Sequence, residues 1–171
     1  AQVPINVSLS ACFGCPMEGD VPQAEVLQWS QRFADLGVRG LTICDTTGMA
    51  QPRQVAAMCE ALRQRFPQLQ LTLHFHNTRG MGLANVLAAV QSGIDRFDGS
   101  LGGLGGCPYA PGASGNVVTE DLVFMFEAMG VHTGVDLERL MAAREPLKSG
   151  LPGEPLYGMT PEARLPKGWP H

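Results

Sequence analysis

The chain is short of positive charge, of aromatic residues and of long apolar runs. Twelve Lys and Arg stand against sixteen Asp and Glu in 171 residues, a formal net charge of -4, and no basic run occurs. A protein that tracks a phosphate backbone needs more cation than this, so nucleic acid is disfavoured as a partner. No apolar stretch approaches the roughly 20 residues that cross a bilayer, and the first residues lack the charged-then-apolar pattern of a signal peptide. The expectation is a soluble, cytoplasmic protein with no membrane partner. Five cysteines are an odd number, which suits reduced thiols better than a disulfide framework. What is present is a 44% hydrophobic share with 16% charged residues, enough to bury one ordinary core and to disfavour disorder.

The apolar pattern divides into four strand-then-helix units. Short β-rich runs recur at Ile5 to Leu9, Val38 to Cys44, Leu69 to Phe75 and Ile94 to Leu101. Between them, apolar residues fall three and four apart: Val26, Leu27, Phe33 and Ala34; then Val55, Met58, Cys59 and Leu62; then Leu83, Val86, Leu87 and Val90. Those spacings predict amphipathic helices. Pro22 and Pro52 suit first-turn positions, Gly37 and Gly93 suit the stops, and Pro67 forbids continuation past Phe66. Repeated βα units imply an α/β fold with parallel strands and right-handed crossovers. Further helices are predicted at about Thr119 to Met129 and Asp136 to Arg144. The expected division is residues 1–145 as the βα portion and 146–171 as a Pro/Gly-rich irregular tail on its surface. Two architectures fit such units, an open doubly wound sheet and a (β/α)8 barrel, and four units are half of what a barrel requires. A dinucleotide fingerprint is absent, because Gly103 and Gly105 would need a glycine where Pro108 stands. Both architectures place active residues at the carboxyl ends of the strands.

Three clusters there could carry chemistry. His74-Phe75-His76-Asn77 ends the third run, and period-two alternation puts His74 and His76 on one face, where they could share a metal ion or form a hydrogen-bonded pair. With only two imidazoles and otherwise oxygen or amide donors nearby, a hard ion such as Mg2+ or Mn2+ suits the cluster better than structural zinc. The second cluster is the segment from Gly102 to Asn116, with six glycines in fifteen residues, a backbone able to approach a ligand closely or to close as a lid. Cys107 sits within it, as a reactive or a passive thiol. Asp45, in Cys44-Asp45-Thr46-Thr47-Gly48, could order a ligand or serve as a turn or cap residue. Cys12-x-x-Cys15 reads as two unrelated loop cysteines, since no second pair completes a four-thiolate site. His132 lies past a helix stop at Gly130 and reads as a surface histidine.

Gly105-Gly106-Cys107-Pro108-Tyr109-Ala110-Pro111-Gly112-Ala113-Ser114-Gly115-Asn116, followed by Thr119-Glu120-Asp121-Leu122-Val123, resembles the signature of 3-hydroxy-3-methylglutaryl-CoA lyases. His74-x-His76 with Gly80 and Ala84-Asn85 resembles the wider group of metal-dependent TIM barrels that also contains the 2-isopropylmalate and homocitrate synthases. Those synthases resemble one another through a Gly-Glu-Arg segment where this chain has Gly106-Cys107-Pro108. Asp45-Thr46 and Gly14-Cys15-Pro16 also look like lyase segments.

The resemblance implies a TIM barrel, of which this chain supplies about the last four units, and a lyase acting on an acyl-CoA substrate. It implies a divalent cation, Mg2+ or Mn2+, held by His74, His76 and the amide oxygen of Asn116. Cys107 would assist acid-base transfer as its loop closes, His74 would combine ligation with proton transfer, and Asp45 would orient neighbouring groups. Asn77 stands where some lyases have aspartate. The family also carries an Arg-Asp pair at the end of the first barrel strand, with the aspartate on the metal, and no residue ahead of Ile5 corresponds to it. The expected partners are therefore a missing amino-terminal half and, as a homo-oligomer, further copies of the protein. A related lyase for another 3-hydroxyacyl-CoA, and a half-barrel that binds but does not catalyse, are the rival readings.

Overall fold

In the computed structural model, all residues are described except 1, 2, 107–111, 113, 114, 170 and 171. The elements run β1 (Asn6–Leu9), α1 (Gln23–Asp35), β2 (Gly40–Asp45), α2 (Pro52–Arg65), β3 (Gln70–Phe75), α3 (Gly82–Gln91), β4 (Phe97–Asp98), α4 (Thr119–Ala128), α5 (Leu137–Ala142), α6 (Arg144–Gly150) and α7 (Met159–Ala163). The punctuation acts as its chemistry requires. Pro52 opens α2, whose N-cap Gln51 accepts from the Arg53 N–H. Gly37 and Gly93 adopt the positive φ that ends α1 and α3, a conformation glycine reaches without a Cβ clash.

The four strands are all parallel and lie in the order β1-β2-β3-β4. A doubly wound sheet reverses its strand order at a switch point and covers both faces with helices. Here the order never reverses. The row Leu9, Ile43, Leu73 and Phe97 faces the helices and joins one core with Val26, Val55, Met58, Cys59, Leu62, Phe66 and Val86. The alternate row is polar: Ser8, Thr42 and Thr72 in one layer, and Cys44, His74 and Asp98 in the next. A one-sided, sequentially wound sheet with a polar concave face is half the wall of a TIM barrel, and the polar face is the barrel interior.

Two expectations need correction. The fourth strand is only Phe97–Asp98, not the run from Ile94 to Leu101. Beyond it Gly99 lies so close to the returning chain that a Cβ there would stand 2.7 Å from the Val117 carbonyl, and Leu101–Gly103 coil into a 3-10 turn. The tail is not irregular throughout: it contains most of α6 and all of α7. It is tied down by charge, because Arg144, 4% exposed, pairs with the fully buried Glu120 of α4, and Asp121 accepts from the Met159 and Thr160 N–H groups at 2.9 and 2.6 Å. Among the described residues no helix is long and apolar enough to cross a membrane.

Candidate metal and acyl-CoA site

The carboxyl end of β3 carries the site. Leu71, Leu73 and Phe75 bury the helix side of the strand, so alternation delivers His74 to the concave face, and the His76 ring lies beside it with centroids 5.2 Å apart at 63°. The face predicted for the two imidazoles is the observed one. His76 then pairs with Asn116 across an isolated antiparallel bridge, flanked by Asn77 N–H donating to the Gly115 carbonyl and Val117 N–H donating to the Phe75 carbonyl, both at 2.9 Å. This places the predicted amide ligand directly opposite the second imidazole.

Glycine makes the arrangement possible at the foot of the loop. A Cβ on Gly115 would stand 1.8 Å from the Gly103 carbonyl oxygen, an overlap that only glycine avoids, and the same carbonyl accepts from Asn116 N–H at 3.1 Å. The loop therefore leaves and returns at adjacent points. Asn116 Nδ2 donates to the Leu104 carbonyl at 2.6 Å, which fixes the amide and leaves Oδ1 as the buried oxygen without a partner. His76 Nδ1 is likewise buried without a partner. Two unpaired buried polar atoms on facing residues are costly unless something binds them, and with Nε2–H on His76 both are lone-pair donors, which suits a cation.

Electrostatics suit that use. Burial, reinforced by the neighbouring His74, pushes His76 down to about 4, so at neutral pH its ring is uncharged and keeps a lone pair for a ligand. His74 Nδ1 is paired with the Asp98 carboxylate, a contact that sequence reasoning missed. Its only signal was an acidic residue at the carboxyl end of the neighbouring strand. Among the described residues no group of three or more His, Cys, Asp and Glu is placed to hold a metal, as expected of a set made of two imidazoles and an amide.

The remaining predicted residues separate. Asp45 stands in the Phe75 row, not the His74 row, and its Oδ1 accepts from Met49 and Ala50 N–H at 2.7 and 3.1 Å. It is a turn residue that organises the loop between β2 and α2, and burial raises its carboxyl pKa. Asn77 is turned to its own helix, accepting from Gly82 N–H at 2.9 Å. Cys107 lies outside the described residues. Cys12 and Cys15 are free thiols, and Cys12 donates to the Leu9 carbonyl at 3.1 Å. His132 is 88% exposed beside Glu127. Sequence reasoning also missed Glu120, whose two carboxylate oxygens accept from Gly102 N–H at 3.2 and 3.1 Å, anchoring the start of the glycine loop to the Arg144 pair.

A sequentially wound parallel half-barrel with its polar strand ends on one face defines a member of the TIM-barrel class. Comparison with known proteins makes this specific: residues 5–146 match the HMGL-like family model, and the chain belongs to that family. Hydroxymethylglutaryl-CoA lyase YngG of Bacillus subtilis is 49% identical over 91% of this chain and 52% of its own length. The (R)-citramalyl-CoA lyase of Chloroflexus aurantiacus is 47% identical over 92% of this chain and 50% of its own. An HMG-CoA lyase from Acinetobacter baumannii, solved in complex with coenzyme A and 3-methylmalate, superposes with a TM-score of 0.88 at 44% identity, covering 97% of this chain and 54% of that one. The chain thus spans about half the length of the relatives it matches.

Proposed function

We propose that this chain is the carboxy-terminal half of a divalent-metal-dependent carbon-carbon lyase that cleaves 3-hydroxy-3-methylglutaryl-CoA to acetyl-CoA and acetoacetate. The observation that carries the reading is the pair of buried, unpartnered atoms, His76 Nδ1 and Asn116 Oδ1, on facing residues beside His74. They fit a cation, and the family supplies the chemistry. His74, His76 and Asn116 would hold Mg2+ or Mn2+, which when bound supplies Lewis acidity toward the substrate's hydroxyl and carbonyl oxygens.

The chain's own residues account for the rest. The Cys107 thiolate would take the proton of the tertiary hydroxyl, the alkoxide collapses to a ketone, and the carbon-carbon bond breaks with its electron pair passing into the enolate of acetyl-CoA. Cys107, which lies outside the described residues, is the group that by family resemblance would return that proton to the enolate. Glu120 and Asn116 hold the two ends of that loop. Asp45 supports the neighbouring loop through Oδ1, and its buried, unpartnered Oδ2 would orient neighbouring groups.

The amino-terminal half, with its Arg-Asp pair, is the partner that the four-stranded sheet lacks. Nearly equal identity to a citramalyl-CoA lyase favours a second reading, a related 3-hydroxyacyl-CoA as substrate. Steady-state assays of the full-length protein with Mg2+ and each thioester decide between them. Faster cleavage of the methylglutaryl ester supports the first reading, faster cleavage of the citramalyl ester the second, and cleavage of neither overturns both.

A further inference from the structure

We propose that Asp98 is a positioning residue for the metal site, holding the His74 imidazole as the Nδ1–H tautomer so that Nε2 is the atom it offers to the cation. The proposal rests on the ligand reading of His74, His76 and Asn116, and deepens it by naming the ligating atom and the group that selects it.

Three observations carry it. Register puts Cys44, His74 and Asp98 side by side on the concave face at the carboxyl ends of β2, β3 and β4. Asp98 Oδ1 contacts His74 Nδ1, not Nε2. Among the described residues no competing acceptor reaches that nitrogen: the Cys44 thiol on the opposite side is a neutral donor, directed at the Thr42 carbonyl at 3.7 Å, and the His76 ring meets His74 edge to face.

A carboxylate can only accept from an imidazole N–H, so the contact places the proton on Nδ1 and the lone pair on Nε2. Free imidazole side chains exchange between tautomers and rotate, and each freedom lowers the fraction competent to bind. A carboxylate behind a metal-binding histidine removes both and raises the basicity of the ligating nitrogen. The His74 and Asp98 side chains are 26% and 48% exposed, so their hydrogen bond, open to competing water, would contribute little to stability. The effect of Asp98 is therefore on ligand geometry, and it should show in metal affinity more than in folding.

The test uses the full-length protein carrying this segment, with two readouts. The first is the 15N spectrum of histidine-labelled, metal-free protein; the second is Mn2+ affinity by paramagnetic resonance. In the parent His74 should appear as the Nδ1–H tautomer. Asp98→Ala should lose that signature and weaken Mn2+ binding about 10–100-fold, while Asp98→Asn, which keeps an acceptor oxygen, should recover most of both. An Nε2–H tautomer in the parent overturns the proposal. So does unchanged Mn2+ affinity in Asp98→Ala, or an Asp98→Asn variant as impaired as Asp98→Ala, which would make the carboxylate itself a ligand. His76→Ala tests the underlying ligand reading separately: if it binds Mn2+ like the parent, that reading fails whatever Asp98 does.

Discussion

His76 and Asn116 face one another across a single antiparallel bridge, and each buries a polar atom that meets no hydrogen-bond partner. Each such atom is costly to bury without a partner, and the proposed function gives both the same one.

The first prediction follows directly. His76→Ala and Asn116→Ala should each weaken Mn2+ binding by at least about tenfold and lower turnover with it, since each removes a donor from the cation. Calorimetric titration of the metal-free, full-length protein checks this. Equal affinities in parent and both variants would remove these residues from the ligand set.

Cys107→Ser should separate chemistry from binding. A hydroxyl is a far weaker acid than a thiol, so loss of proton transfer should cost about 10²–10⁴-fold in kcat while Mn2+ affinity stays near the parent value. Turnover at the parent rate would reduce Cys107 to a passive position on the loop.

Four parallel strands cannot close an eight-stranded barrel, and β1 and β4 present unpaired edges while Ser8, His74 and Asp98 face an absent wall. The 171-residue segment expressed alone should aggregate or associate, and should show no lyase rate. Co-expression with the amino-terminal half of the protein should restore both order and activity. Sedimentation and a thioester assay provide the check, and a stable, active monomer of the segment would overturn the half-barrel reading.

The Arg144–Glu120 pair, 5% and 0% exposed by side chain, should be expensive to break from one side. Arg144→Met leaves an unpaired carboxylate in the interior and should cost about 3–5 kcal/mol in urea denaturation. Combining it with Glu120→Gln should return part of that loss. A single variant as stable as the parent would show that the pair is not sealed from solvent in the assembled protein.

Burial raises Cys12 to about 11 and Cys44 and Cys59 to about 12. In the unfolded chain these thiols ionise near 9.0, so between about pH 9 and pH 12 the native state retains protons that the unfolded state has lost. Their contribution to stability is complete below pH 9 and declines as pH rises through that window. Urea midpoints measured at pH 8 and pH 10.5 should fall, and Ala at all three positions should flatten the change. An undiminished decline in that triple variant would assign the alkaline sensitivity elsewhere.

Sequence alone determined what depends on neighbours along the chain. The spacing of Val55, Met58, Cys59 and Leu62 gives the buried face of α2 residue for residue, because helical period needs nothing beyond the segment itself. The shared face of His74 and His76, the stops at Gly37 and Gly93, and the resemblance of the glycine loop were legible for the same reason. Tertiary structure decided what depends on partners brought from far away. The Val117 carbonyl crowding Gly99 accompanies a fourth strand of only two residues. Strand register put Asp45 in the Phe75 row and Asp98 beside His74. The buried pairing of Glu120 with Arg144 joined the segment leading into the tail to Gly102 at the start of the glycine loop. Local period is written in contiguous residues, whereas the pairing of a buried charge is set by whichever distant residue the fold carries to it.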